Sequence, residues 1–410
     1  MATDDKFSTL LFQIGNVFTP GSPVNEKDLF AGRIEQIRKV LATSSQRGYH
    51  AVLYGERGVG KTSLANIIKS LMPAGTGGWL VPRINCDGTD TFTSLWRKAL
   101  SDIRYTHEQR GAGFTGEVTK VDTALIDQLP QELTPNDIRR VLSNLSQQVN
   151  LIVAFDEFDR LSNPAVSVLM ADTIKTLSDY AVSATVLLIG VADSVDGLVE
   201  GHQSVERALV QIPMPRMSAE EVRQILDNGF HRLGMTIDKG AADELVGLSQ
   251  GLPYITHLLA LESGKAALRH GRLGVSSSDV DEGIREALSS WQQTTTKAYY
   301  DAVQSSQPGN IYREVLLACA LAETDDLGFF SAGSIRLPLR VITGREYDIP
   351  NFAQHLKNFS DESRGSILQR TGETRRIRYR FSSPLLRPFI IMRGFSDGLL
   401  TRQQMKKMAV

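Results

Sequence analysis

The sequence has little that would tie it to a membrane, an oxidising compartment or a fibre. No run of about 18 uncharged apolar residues occurs, so no membrane-spanning helix is expected. The first residues, Met1-Ala2-Thr3-Asp4-Asp5-Lys6, lack the basic-then-apolar order of a secretory leader. Cysteine is scarce. Cys86 and Cys319 stand far apart, without neighbours suited to a metal site, and read as two separate reduced thiols of a cytoplasmic protein. Neither sign of charge is in excess: 45 basic residues face 46 acidic ones, a net charge of −1. That balance excludes a polycation binding nucleic acid over its whole surface. No internal repeat and no low-complexity tract is evident. What remains is an ordinary globular composition, 41% hydrophobic and 22% charged over 410 positions, enough for two or three units with cores of their own.

Against that background one stretch is conspicuous. Gly55-Glu56-Arg57-Gly58-Val59-Gly60-Lys61-Thr62-Ser63 is a full G-x-x-x-x-G-K-[ST] phosphate-binding loop. Ala51–Tyr54 before it reads as a buried strand, and Leu64–Ile68 after it as the start of a helix. The glycines let the backbone wrap an anion with its N–H groups turned inward. The helix N-terminus adds its positive dipole end. Lys61 would reach the β- and γ-phosphates of ATP, and the Thr62 hydroxyl would ligate Mg²⁺.

Around this loop the chain alternates. Residues 1–30, with Pro20-Gly21-Ser22-Pro23, read as an extended lead-in, and Ile34, Ile37 and Val40 predict a helix over about Arg33–Ser44. Strands are expected at Leu80–Cys86, with Pro82 marking an edge or bulge, at Leu151–Phe155, at Val186–Val191 and near Val210–Met214. Helices are expected near Thr91–Ile103, from Thr134-Pro135-Asn136-Asp137 onward, and at Ala165–Tyr180. Residues 104–133 read as an insertion or long surface loop. Strands separated by helices predict an α/β core with a doubly wound parallel sheet. From the capping box Ser218-Ala219-Glu220-Glu221 the strands stop, and four helices follow to about Ser290. The final unit reads as three helices and then two strands, Ser366–Arg370 and Arg376–Phe381, the pattern of a winged helix-turn-helix. The units expected are 1–215, a phosphate-loop core with its lead-in; 216–290, an all-α lid; 291–400, a linker and winged helix; and 401–410, a basic tail.

Asp156-Glu157 closes the apolar strand, where a carboxylate faces the ligand crevice of a parallel sheet. Asp156 suits a holder of Mg²⁺ through water, and Glu157 a general base for the attacking water. With Gly55–Thr62, Phe155-Asp156-Glu157 resembles the Walker A and B motifs of the AAA+ and STAND ATPases, within the ASCE class. Core, lid and winged helix in that order are similar to the origin-recognition and cell-division-cycle initiator ATPases. The lead-in Phe18-Thr19-Pro20 … Phe30-Ala31-Gly32-Arg33 resembles the segment that borders the adenine in those families, which implies adenine contacts from Gly32 and Arg33, and the resemblance implies a sensor position at Asp193. An Asp there departs from the usual Asn, Thr or Ser. It also implies an arginine finger near Arg207, which read alone suits a surface or intra-domain salt bridge better. At the lid, Gly251-Leu252-Pro253-Tyr254 departs from the initiator sensor arginine and resembles the Gly-x-Pro of STAND ATPases, whose Pro packs on adenine. Pro253 is also ordinary helix-start punctuation. His257, one turn on, could face the phosphates or the core.

The C-terminal end is positive: between Arg364 and Lys407 eleven Lys and Arg residues face only Glu373 and Asp397. Gln354 and Lys357 on the third helix, beside Asn358, and Arg375, Arg376, Arg378 and Arg380 on the hairpin are candidate contacts to duplex DNA. Strand alternation puts Arg376, Arg378 and Arg380 on one face and Ile377, Tyr379 and Phe381 on the other. The expected function is a Mg²⁺-dependent ATPase, binding ATP and ADP as a conformational switch and associated with DNA. The alternative is a STAND-type signalling or defence ATPase whose winged helix binds protein. A homo-oligomer completed by Arg207 is a further expectation.

Overall fold

The sheet forms because its strands are apolar on both faces. Along Asn150–Asp156, Ile152 and Ala154 point into one core while Val153 and Phe155 point into another, and all four are buried. The computed structural model describes residues 2–23, 32–72, 78–101, 103–110, 118–192, 205–307, 309–325, 327–372 and 376–408, with backbone alone at 2–5, 104–110, 118–124, 127–128 and 406. Across the sheet run Trp79–Leu80 with Arg83–Asn85, then Asn150–Asp156, Ala184–Val191, His50–Gly55 and Leu209–Pro213. Every pairing in it is parallel, in registers such as Leu53↔Ile189 and Phe155↔Leu188. The strand expected over Leu80–Cys86 is broken at Val81-Pro82, and both pieces pair with the same neighbour. Pro82 lacks an N–H, yet its carbonyl still accepts from Ala154 N–H at 2.9 Å.

Caps fix the flanking helices. Thr91 with Ser94, Thr134 with Asp137 and Ser218 with Glu221 close reciprocal capping boxes. After Leu209–Pro213 come the helices Ala219–Arg232, Lys239–Ser249, Pro253–Arg269 and Ser277–Ser289, then a bridging helix Gln293–Val303. The C-terminal part holds helices Tyr312–Leu321, Arg336–Thr343 and Ile349–Phe359. Its three-stranded antiparallel sheet runs Phe330–Ser331, Arg378–Phe381, Leu368–Thr371. Three helices and a small sheet make a winged-helix arrangement. One apolar cluster runs unbroken from the sheet through the lid helices into this part, from Leu53 through Leu245 to Phe389.

One expectation is corrected, and two more gain detail. The lead-in is not all extended: Ala2–Val17 is a helix, because Phe7, Leu10, Leu11, Ile14 and Val17 recur at helical spacing and pack on the common cluster. Within residues 104–133, Arg104–Arg110 and Val118–Ala124 pair as an antiparallel hairpin, followed by a 3₁₀ turn at Leu125–Gln128. The basic tail contains the helix Arg402–Met408, anchored where Arg402 meets Glu244 at 2.9 Å and Asp281 at 2.5 Å. Phe30, Ala31, Asp193, Glu373 and Arg375 lie outside the described residues. Among the described residues no helix is long and apolar enough to cross a membrane.

Candidate functional site

The phosphate loop joins the central strand His50–Gly55 to the helix Lys61–Leu71. Gly58 and Gly60 take φ of 88° and 94°, conformations that would strain any residue with a Cβ. Lys61 is 9% exposed, and its Nζ donates to the carbonyls of Gly55 at 2.9 Å and Glu56 at 2.8 Å. Burial pushes the ammonium down to about 8, against the pull of Asp159, Asp156 and Glu56.

Beyond the loop opens a cavity of about 760 Å³, a size that suits a nucleotide. Of the expected residues, Arg57, Gly58, Gly60, Lys61, Thr62, Ser63, Asp156, Glu157, Pro253 and His257 line it. Asp156 is 2% exposed; its Oδ2 accepts from Arg83 Nη1 at 2.9 Å and its Oδ1 from Glu157 N–H at 2.9 Å. Glu157 adopts φ 56°, and its Oε2 meets Arg160 Nη1 at 2.7 Å. The hydroxyl of Thr62 and the carboxylate of Asp156 supply oxygen donors that fit a hard divalent cation. Among the described residues no group of three or more His, Cys, Asp or Glu could hold a metal unaided, so such an ion would share its coordination with phosphate and water.

Other expected residues stand behind the cavity wall. Gly55, Glu56 and Val59 do not line it. The Glu56 carboxylate turns away to Arg216, with Nε–Oε2 at 2.7 Å and Nη2–Oε1 at 3.3 Å, and Arg216 also reaches the Gln250 carbonyl at 3.4 Å. A Cβ on Gly328 would stand 3.1 Å from Glu56 Oε1, so the C-terminal part abuts the loop. Gly32 and Arg33 likewise do not line the cavity. Arg33, φ 62°, donates from its N–H to Glu221 at 2.9 Å and from Nη2 to the Val59 carbonyl at 3.0 Å, tying lead-in, lid and loop. Arg207 is exposed on the turn before the edge strand and does not line the cavity. In the lid, Gln250 and Gly251 take φ of 50° and 70°, which aims Pro253 and Tyr254 at the glycines of the loop. Burial lowers His257 to about 4, so it is neutral, and its Nδ1 accepts Thr19 N–H at 3.2 Å.

Thr19 and Pro20, expected beside the nucleotide, line the cavity, while sequence reasoning missed Gly21–Pro23, Asp159, Arg160, Gly190, Val191 and Tyr254 as cavity residues. Asp159 was findable as the second acid three places after Asp156; its Oδ1 accepts Val191 N–H at 2.8 Å. Arg83 was findable only from the sheet, where its strand pairs Asn85 with Asp156.

On the C-terminal hairpin, Tyr379 and Phe381 are buried while Arg376 and Arg378 are exposed, as alternation requires. Arg378 pairs with Asp325 at 2.9 Å, Arg380 donates to Gln369 at 2.9 Å, and both lie over the Phe329 ring. Gln354 donates to Asn358 at 2.8 Å, and Asn358 to the Tyr312 hydroxyl at 2.6 Å. Lys357 and Arg370 line a separate cleft of about 510 Å³ between the third helix and the first long strand of the wing.

A family model described as Novel STAND NTPase 1 matches residues 23–326, about three quarters of the chain. No curated protein matches. Among solved structures, a Walker-type ATPase of Pyrococcus abyssi is 17% identical with TM-score 0.52, over 91% of this chain and 99% of that one. The ORC2 protein of Aeropyrum pernix, solved as ADPNP and ADP complexes, is 16% identical with TM-score 0.48, over 96% and 98%. Cdc6p of Pyrobaculum aerophilum is 14% identical with TM-score 0.45, over 94% and 99%.

Proposed function

The chain belongs to the Novel STAND NTPase 1 family of P-loop NTPases, and on that premise we propose that it binds ATP with Mg²⁺ and hydrolyses it to ADP and phosphate as a conformational switch. One observation carries the reading: Lys61, Thr62, Asp156 and Glu157 converge on a single cavity. Lys61 and the loop amides bind the phosphates. Thr62 and Asp156 would hold the metal, which would supply charge compensation to the phosphate oxygens. Glu157 accepts the proton of the attacking water. Pro253 and Tyr254, over the loop, close the site from the lid side. Glu157→Gln should keep ATP binding and lose turnover by two orders of magnitude or more; turnover at the wild-type rate would refute Glu157 as base.

The switch reading rests on Glu56, whose main chain accepts from Lys61 and whose side chain meets Arg216 beside Gly328. A phosphate that draws Lys61 off the Glu56 carbonyl acts on the same residue that the lid and C-terminal part touch. For the partner of the winged helix we propose duplex DNA, contacted through Lys357, Arg370 and Arg376, which form no ion pair among the described residues. A protein partner is the second reading, favoured because Arg378 and Arg380 are engaged within the chain. ATPase rate and binding with and without duplex DNA, across a salt series, separate the two. Arg207 would complete a neighbouring copy's site in an oligomer, and sedimentation that shows an unchanged monomer with ATP would exclude that role.

A further inference from the structure

Two cations of the cavity rest on oxygens of the chain itself. Lys61 Nζ lies on the Gly55 and Glu56 carbonyls. Arg160 Nη1 lies 2.7 Å from Oε2 of Glu157. The one-turn helix Phe158–Arg160 makes the second contact, since Arg160 N–H donates to the Glu157 carbonyl at 3.0 Å and brings the two side chains together. Asp159 between them accepts Val191 N–H, lines the same cavity and pulls electrostatically on Lys61. Arg160 is therefore a long, half-exposed cation that lines the cavity beside Glu157.

Hydrolysis spreads negative charge over the equatorial oxygens of the γ-phosphoryl group. Lys61, the loop amides and the metal would meet the β- and γ-oxygens from the loop side. On the side of Glu157 the cavity is lined by Arg160, and Arg207 does not reach it. We propose that Arg160 is a catalytic residue, an arginine finger supplied in cis, which leaves Glu157 for the γ-phosphoryl oxygens when ATP binds. The inference rests on the hydrolase reading above. One movement has two effects: the guanidinium, a planar donor matched to phosphate, meets the developing charge, and the Glu157 carboxylate is freed to accept a proton. The water oxygen then bonds to the γ-phosphorus, and the bond from that phosphorus to the β–γ bridging oxygen breaks. Its electron pair stays on ADP, and the water's proton passes to Glu157. An exposed pair such as Arg160–Glu157 holds weakly, so a phosphate can displace it.

The test uses the full chain and three probes: ADP, ATP, and ADP with aluminium fluoride, which mimics the transferring group. Arg160→Ala should bind ADP within about twofold of wild type, which also reports intact folding. It should bind ADP–aluminium fluoride at least tenfold more weakly and turn over about a hundredfold or more slowly. Glu157→Gln should keep wild-type or tighter affinity for ADP–aluminium fluoride, because its arginine is already released. Wild-type affinity for that complex in Arg160→Ala, or faster turnover, would overturn the finger and leave the hydrolase reading standing. A wild-type chain that binds no nucleotide would overturn both.

Discussion

The phosphate loop and the C-terminal hairpin look alike as sequence, each a short strand, a glycine turn and a cluster of basic residues. They use those residues in opposite ways. In the loop, positive φ at Gly58 and Gly60 turns the backbone toward a cavity, and Lys61 rests on carbonyls that a phosphate can replace. In the hairpin, Arg378 and Arg380 are held by Asp325, Gln369 and Phe329, side chains of the same unit. A basic residue in a loop that shapes the main chain around a ligand is available to it. One on a regular strand face finds whatever its neighbours offer.

Five measurements would break or sharpen this contrast. The largest effect is expected at the loop: Lys61→Ala should weaken ATP binding about a hundredfold by calorimetry, the scale of removing one partner from a buried charged contact. Undiminished affinity would erase the distinction. Next is the strand that carries the loop. His50 is fully buried with Nδ1 accepting Val186 N–H, and burial lowers it to about 4. Between about pH 6.5 and 4 the unfolded chain binds the proton first, so stability falls as pH drops through that window, by roughly 3 kcal/mol in total at the lower end. His257, also at about 4, acts in the same sense. Urea titrations from pH 7 to 4 should show this slope, and His50→Gln should remove about half of it, leaving the His257 share.

A third test lies where the two regions meet. Arg216→Ala leaves the mostly buried Glu56 carboxylate without its ion pair and should cost about 1–3 kcal/mol in urea unfolding. An unchanged midpoint would mean that water replaces the arginine fully. The smallest effects belong to the hairpin. Arg378→Ala removes an exposed pair and should change stability by less than about 1 kcal/mol. If DNA is the partner, Lys357→Ala and Arg370→Ala should each lower the salt slope of duplex binding by about one. Arg378→Ala should alter it less, and equal losses from all three would show that the hairpin arginine is released on binding.

The legible parts of the molecule were those specified locally. The phosphate loop, the Asp156-Glu157 strand end and the helix Lys239–Ser249 follow from motif, periodicity and caps. The rest depends on partners distant in sequence. The helix Ala2–Val17 was hidden by the turn residues after it, although Leu10, Ile14 and Val17 carry its spacing. Arg33 has a glycine before it and reads as a ligand contact, and its bonds to Glu221 and the Val59 carbonyl, distant in sequence, were not foreseeable. Arg160 is unremarkable until the turn after Glu157 is built. Counting arginines in the hairpin could not reveal that Asp325 and Phe329 already occupy two of them.

The first helix has one more consequence, for how the molecule is born. Phe18 packs at 4.8 Å from Phe230, against a bare Gly229 where any Cβ would collide with its ring. Ile14 fills the matching gap at Gly264. The contact between Thr19 and His257 spans 238 residues. During synthesis this segment therefore precedes its seat by more than two hundred residues, and its greasy side stays uncovered until that seat is translated.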